Sequence, residues 1–300
     1  MINKLTGFLI MASFLTACKQ EQKTLPKDSV KANLTELSDV YSYPVKKDMY
    51  SKNVSDSFTI FTSLPKGFTQ NKKYPLIILL DANAFFESVV DELKFNSFTG
   101  MVPESIIIGI GYKNFPAMDS LRNRDYTYPV AIPEYEMVPS GGADKFKNFI
   151  DKELLPELNN EYKNIDSAKT VLCGHSLGGY FTLFYFLKSA EEKDFHIRNF
   201  VSASPSLFYN HRYLFDMEKK IRNDAISLPS KVYISMGSED MNGKESKGIL
   251  TAFEKQLSAK KYPGLQLSAR EYTNFGHIDA ALPGFIKGIT YVLQPEMSKQ

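Results

Sequence analysis

The chain has 300 residues, of which 43% are hydrophobic and 23% charged, with 36 Lys and Arg against 34 Asp and Glu. A net charge of +2, with no basic block interleaved with aromatics, argues against nucleic-acid binding. The length suits one large globular domain or two small ones, and 17 Tyr and 22 Phe without a single Trp point to aromatic-rich cores.

The first residues read as a targeting segment and not as fold. Lys4 supplies a short positive region, and Leu5 to Leu15 is apolar but too short for a comfortable membrane span. The run ends in Leu15-Thr16-Ala17-Cys18, which resembles the lipobox of bacterial lipoproteins, whose cysteine is acylated and becomes the first mature residue. Residues 1–17 are therefore expected to be a lipoprotein signal peptide. Residues 18–37, polar and charged, form a tether, and residues 38–300 form the folded domain. This organisation predicts a cell-envelope protein held to the bilayer through acylated Cys18. The only other cysteine, Cys173, lies in an apolar run and is expected to be a core residue, so the mature chain has no disulfide.

Ser57 to Thr62 alternates like an antiparallel strand and stops at Leu64-Pro65-Lys66-Gly67. Leu76 to Leu80 and Ser105 to Gly111 are continuous apolar runs, typical of strands buried on both faces. Val171 to Cys173, Phe200 to Ala203 and Lys231 to Met236 add three more, and Leu265 to Tyr272 alternates as an edge strand would. Helical periodicity falls between them. Ala143 to Tyr162 carries an apolar stripe that Pro156 must bend or interrupt, Ile249 to Leu257 carries another, and His277 to Leu293 a third. Alternating buried strands and helices predict an α/β fold with a mostly parallel central sheet and helices on both faces.

The sharpest motif is Gly174-His175-Ser176-Leu177-Gly178. It lies between a short apolar run and the longer apolar Tyr180 to Leu187, so the G-x-S-x-G sits on a strand-to-helix turn. Such a turn lifts the serine Oγ above the sheet, with the N–H of Leu177 aimed at the same space. Ser176 is the expected nucleophile. In this arrangement the acid and then the histidine follow the serine in sequence. His175 lies inside the turn and is expected to point away from the base position, and His196 and His211 precede any late acid. His277, in Asn274-Phe275-Gly276-His277, is the expected general base. The strand at Lys231 to Met236 runs into Gly237-Ser238-Glu239-Asp240, which makes Asp240 the first candidate acid and Glu239 the alternative. The oxyanion hole needs two backbone donors. Leu177 N–H is one, and the other comes from the loop after Leu80, from Ala82 or alternatively Asn83.

Together these segments resemble the putative-esterase family of α/β-hydrolases, whose members include siderophore-trilactone esterases, feruloyl and acetyl-xylan esterases and S-formylglutathione hydrolases. The resemblance runs from about Ser57 to Leu293. It rests on Tyr74-Pro75 to Asp81, Gly109-Ile110-Gly111-Tyr112, Arg122-Asn123-Arg124-Asp125-Tyr126-Thr127, Gly142 to Phe146, Glu153 to Pro156, the Gly174 to Gly179 elbow and Ser204-Pro205-Ser206. The chain departs at Asp81-Ala82-Asn83, where the family often shows Asp-Gly. The resemblance implies an α/β-hydrolase fold and a serine esterase acting through Ser176, His277 and Asp240 by an acyl-enzyme. Acylated saccharides or plant esters and siderophore lactones are the two substrate classes that suit an exported enzyme. No metal or organic cofactor is called for. Arginine–carboxylate pairs at Arg122, Arg124 and Asp125 are expected to hold loops, with a substrate contact at Arg124 as the other reading. A non-catalytic binding lipoprotein on the same fold, and an acyltransferase on the same triad, are the alternatives in function.

Overall fold

The computed structural model describes residues 44–221, 227–240 and 248–294. The expected signal peptide, tether and Cys18 lie outside the described residues.

Eight strands form one sheet: β1 (Val45–Ser51), β2 (Asp56–Ser63), β3 (Tyr74–Leu79), β4 (Ile106–Gly111), β5 (Ile165–His175), β6 (Asn199–Ala203), β7 (Lys231–Gly237) and β8 (Gln266–Tyr272). Their order is β1-β2-β4-β3-β5-β6-β7-β8. The β1–β2 and β2–β4 pairings are antiparallel, and every pairing from β4 to β8 is parallel. Apolar side chains alternate between the two faces. Leu76, Ile78 and Leu80 join the larger core, while Ile77 and Leu79 join the smaller one across the sheet.

The chain steps from β3 to β4 in one direction and then returns past β3 to continue through β5 and β6 in the other. Right-handed crossovers taken in opposite directions place their helices on opposite faces. Helix α1 (Ala82–Phe98), after β3, therefore packs on the smaller core together with α8 (Ala281–Leu293). The other face carries α2 (Phe115–Tyr126), α3 (Ala143–Phe149), α4 (Leu155–Glu161), α5 (Leu177–Glu192), α6 (Tyr209–Lys220) and α7 (Ile249–Ala259). The reversal leaves a crevice outside the carboxyl ends of β3 and β5, the position at which open α/β sheets bind ligands.

The apolar stripe at Ala143 to Tyr162 is one path in three pieces. A single π turn, Ile150–Leu154, joins α3 to α4 with helical dihedrals at both junctions, and Pro156 sits just beyond it in the first turn of α4. The last stripe starts as helix only at Ala281, which leaves His277 in the preceding loop. Helix α5 is enclosed: thirteen of its sixteen residues are buried. Periodicity did not bring out four elements, namely β1, whose side chains are mostly exposed, and the helices α1, α2 and α6.

Candidate active site

Ser176 follows the last residue of β5 and precedes α5, with φ 60° and ψ −120°. A serine does not take this conformation unless its surroundings impose it. Three backbone bonds do so: Ser176 N–H donates to Ala203 O at 3.0 Å, and Ser176 O accepts from Tyr180 N–H at 2.8 Å and from Ser206 N–H at 3.2 Å. Glycine is obligatory at Gly174, where a Cβ would stand 2.1 Å from Gly178 O. The elbow is thus pinned between β6, its own helix and the Ser204-Pro205-Ser206 turn.

Asp240 and His277 come from the loops after β7 and β8. A Cβ on Gly237 would meet Phe275 O at 2.1 Å, so the two loops cross in direct backbone contact, reinforced by Glu239 N–H donating to Phe275 O at 2.9 Å. The crossing brings His277 Nδ1 to 2.9 and 3.0 Å from the two Asp240 carboxylate oxygens. The Asp240 side chain is buried and Glu239 is exposed, so Asp240 is the carboxylate that meets the ring. With Nδ1–H donating to Asp240, His277 Nε2 is left as the proton acceptor.

His175 does not point away from the base. Its Nε2–H donates to the His277 carbonyl at 2.8 Å, and the two rings lie 4.6 Å apart between centroids, with Phe85 against the other side of His175. Among the described residues, it is this neighbour of Ser176 that ties the His277 loop to the elbow. Burial, and then repulsion from His277, lower the His175 pKa from 6.5 to about 4. The folded chain thus resists protonating this ring until about pH 4, whereas the unfolded chain accepts the proton near pH 6.5. Between those values the unfolded state binds the extra proton, so stability is fully present above pH 6.5 and declines as pH falls towards 4. The loss from this one group is of the order of 3 kcal/mol. His175→Gln keeps an N–H donor but does not titrate. Its unfolding free energy in urea is expected to fall less between pH 7.5 and 4.5 than that of the parent, and identical pH dependence would refute the assignment.

The residues expected to supply the backbone donors each open a helix. Leu177 opens α5, and Ala82 opens α1 after Asp81, which holds φ 52° and ψ 42°. Asp81 O accepts from Ala84 and Phe85 N–H, so the Ala82 and Asn83 N–H groups lie in a first turn that has no intrahelical acceptor for them. The positive ends of both helix dipoles face the crevice. The Asn83 side chain is spent on the end of β4: Nδ2 donates to Tyr112 O at 2.8 Å and Oδ1 accepts from Tyr112 N–H at 2.7 Å.

Arg124 is engaged in ion pairs, as the loop-holding reading expects. Its guanidinium donates to Asp125 at 2.8 and 3.0 Å and to Asp56 at 2.7 Å, which commits all three of its nitrogens to carboxylates. It ties α2 to β2. Arg122 is bidentate to Asp81 at 2.9 and 2.8 Å. Cys173 is buried in the smaller core, and burial raises its thiol pKa far above the usual range. Among the described residues, no group of three His, Cys, Asp or Glu side chains is placed to hold a metal ion, and no helix is long and apolar enough to cross a membrane.

Residues 128–141 form a strap stitched to the start of α6. Tyr209 Oη donates to Pro129 O at 2.9 Å, Asn210 Nδ2 to Val130 O at 2.7 Å, and Ile132 N–H to Asn210 Oδ1 at 3.2 Å, while Tyr180 Oη of α5 donates to Tyr128 O at 2.5 Å. Asn210, His211 and Arg212 hold consecutive positive φ values, and Val130 and Val138 of the strap are exposed.

A family model described as "Putative esterase" matches residues 51–262. Ferri-bacillibactin esterase BesA of Bacillus subtilis (strain 168) is 28% identical over 268 residues, covering 83% of this chain and 89% of that protein. Apo-salmochelin esterase of Escherichia coli O6:H1 is 24% identical over 229 residues, 73% of this chain and 70% of that one. Among solved structures, the BES protein from Bacillus cereus superposes with a TM-score of 0.73 at 26% identity, over 85% of this chain and 97% of that chain. The enterobactin and salmochelin hydrolase IroE superposes with a TM-score of 0.68 at 23% identity, over 87% and 100%.

Proposed function

Since the chain belongs to the putative-esterase family of α/β-hydrolases and is an ester hydrolase, we propose that it cleaves siderophore esters through Ser176, His277 and Asp240. The observation that carries the triad is the bidentate approach of Asp240 to His277 Nδ1, on a loop tied to the strand end that bears Ser176. Ser176 Oγ attacks the ester carbonyl carbon while His277 Nε2 takes its proton. Asp240 holds the Nδ1–H tautomer and stabilises the imidazolium without becoming protonated. The Leu177 and Ala82 N–H groups receive the oxyanion. Collapse of the tetrahedral intermediate expels the alcohol, which takes the proton from Nε2. Water, deprotonated by the same nitrogen, then releases the acid from the acyl-enzyme.

The substrate class rests on the relatives, which carry the names of siderophore esterases over most of the chain's length. The test is a side-by-side measurement of kcat/KM on ferri-bacillibactin, iron-free salmochelin, acetylated xylan, methyl ferulate and p-nitrophenyl acetate. A siderophore is expected to exceed the saccharide and plant esters by at least about tenfold, a preference of about 1.4 kcal/mol in transition-state binding. Preference for acetylated xylan or methyl ferulate would overturn the siderophore reading and leave the triad standing.

The Leu15-Thr16-Ala17-Cys18 pattern supports an exported enzyme tethered to the cell envelope by acylated Cys18. Intact mass of the native protein is expected to begin at Cys18 with added acyl groups, and Cys18→Ser is expected to be soluble or unprocessed. Cleavage elsewhere without acyl mass would refute the anchor.

A further inference from the structure

The Arg122 to Thr127 segment is left unused by the proposed chemistry. Helix α2, which carries most of it, is an unusual helix: its buried residues are only Met118, Asp125 and Tyr126. An apolar face of that size does not hold a helix in place. Polar ties do, and several converge on the crevice. Arg122 Nε and Nη2 bind both oxygens of Asp81 at 2.9 and 2.8 Å, and Nη2 also reaches His175 O at 3.3 Å. Tyr126 Oη accepts Asp81 N–H at 3.2 Å, and the Arg122 guanidinium lies 5.5 Å from the Tyr126 ring centroid.

The two groups that Arg122 grips stand immediately before the two oxyanion donors. Asp81 precedes Ala82, and its left-handed backbone sets the direction of the Ala82 N–H. His175 O belongs to the peptide that enters Ser176, whose φ of 60° and ψ of −120° set the direction of the Leu177 N–H. These donors come from different strands, β3 and β5, and a guanidinium fork bridges the loops in a fixed plane. His175 extends the bracket to the third loop through the His277 carbonyl at 2.8 Å.

We infer that Arg122, bound bidentately to Asp81 and to the His175 carbonyl, is the positioning residue that sets the spacing of the Leu177 and Ala82 oxyanion donors. It touches no reacting atom and acts through the two backbones. This role rests on the triad reading above. A mere stabilising pair would lower the folded fraction. A positioning clamp lowers transition-state binding in the molecules that remain folded.

Arg122→Lys and Arg122→Ala separate these roles, because lysine keeps the charge but not the fork. Activity is expressed per folded molecule, with folding followed by near-ultraviolet circular dichroism. On p-nitrophenyl acetate, kcat/KM is expected to fall about 10²-fold in Arg122→Ala and nearly as far in Arg122→Lys, comparable to losing one oxyanion donor. KM should change less than about threefold, so that the loss falls on kcat. Affinity for a trifluoromethyl ketone, whose serine adduct places an oxyanion in the hole, should fall by the same factor as kcat/KM. Guanidinium ion at millimolar concentration should partly restore Arg122→Ala. If both variants keep kcat/KM and ketone affinity within about threefold per folded molecule, the inference is wrong. It is equally wrong if activity falls while ketone affinity holds. Should Arg122→Ala not fold, Asp81→Asn, which keeps the side-chain shape and loses the ion pair, is measured in the same way. Unchanged activity in Ser176→Ala would instead overturn the triad reading itself, an outcome the Arg122 variants do not produce.

Discussion

Ser176→Ala is expected to abolish ester hydrolysis while leaving the fold and its stability essentially unchanged. The elbow conformation is imposed by main-chain bonds to Ala203, Tyr180 and Ser206, none of which involves the hydroxyl. Gly174 and the enclosed α5 remain as they are, so alanine inherits the same strained turn. What is lost is the hydroxyl oxygen proposed to form the acyl-enzyme. In serine hydrolases with this constellation, losing the nucleophile costs on the order of 10⁶ in kcat, and the backbone oxyanion donors leave a residual acceleration of about 10³ over water. A fluorophosphonate probe should add covalent mass to the parent and none to the variant. A folded variant that keeps more than a tenth of the parental kcat would remove Ser176 as nucleophile.

Asp240→Asn is expected to lower kcat by about 10²–10⁴-fold, against less than about threefold for Glu239→Gln. The two neighbours differ in where their carboxylates go. Asp240 is buried, with both oxygens within 3.0 Å of His277 Nδ1, whereas Glu239 points to solvent and contributes its backbone N–H to the crossing with Phe275. An amide at position 240 can present its N–H to Nδ1 and so stabilise the tautomer that protonates Nε2, the nitrogen that must accept the proton from serine. It also offers no negative charge to the imidazolium. Equal and small effects of the two changes would mean that His277 works without an acid.

The parallel core was legible because strands buried on both faces write themselves as unbroken apolar runs. Leu76 to Leu80, Ser105 to Gly111 and Lys231 to Met236 all lie within or across β3, β4 and β7. Strand β1 escaped for the opposite reason. As an edge strand with Val45 to Asp48 exposed, it has no buried face to set a period. Helix α1 carried a readable stripe in Phe86, Val89, Val90 and Leu93, hidden beside a start at Asp81 whose side chain caps nothing and binds Arg122. Helix α2 had almost no stripe, and its real signal was local: Asn114 accepts from Ala117 N–H at 2.9 Å, with Pro116 in the first turn. The α/β-hydrolase order of serine, acid and histidine pointed to the loops after β5, β7 and β8, but it left Asp240 and Glu239 both open, and only burial separates the two. The neighbours that orient them could not be read in this way. His175 occupies the variable position of its motif, and its bond to the His277 carbonyl spans 102 residues.

The strap at residues 128–141 is held in a way that leaves its side chains free to change. Tyr180, Tyr209 and Asn210 secure it by bonding to the main-chain carbonyls of Tyr128, Pro129 and Val130. A bond to a carbonyl survives whatever side chain that residue bears. Helix α5 beneath it offers no such freedom, since nearly every position there is packed on all sides. Exposed strap positions such as Val130 and Val138 can therefore be exchanged while its attachment persists. Libraries confined to those positions should fold with undiminished thermal stability, whereas the same number of changes in α5 should lower it.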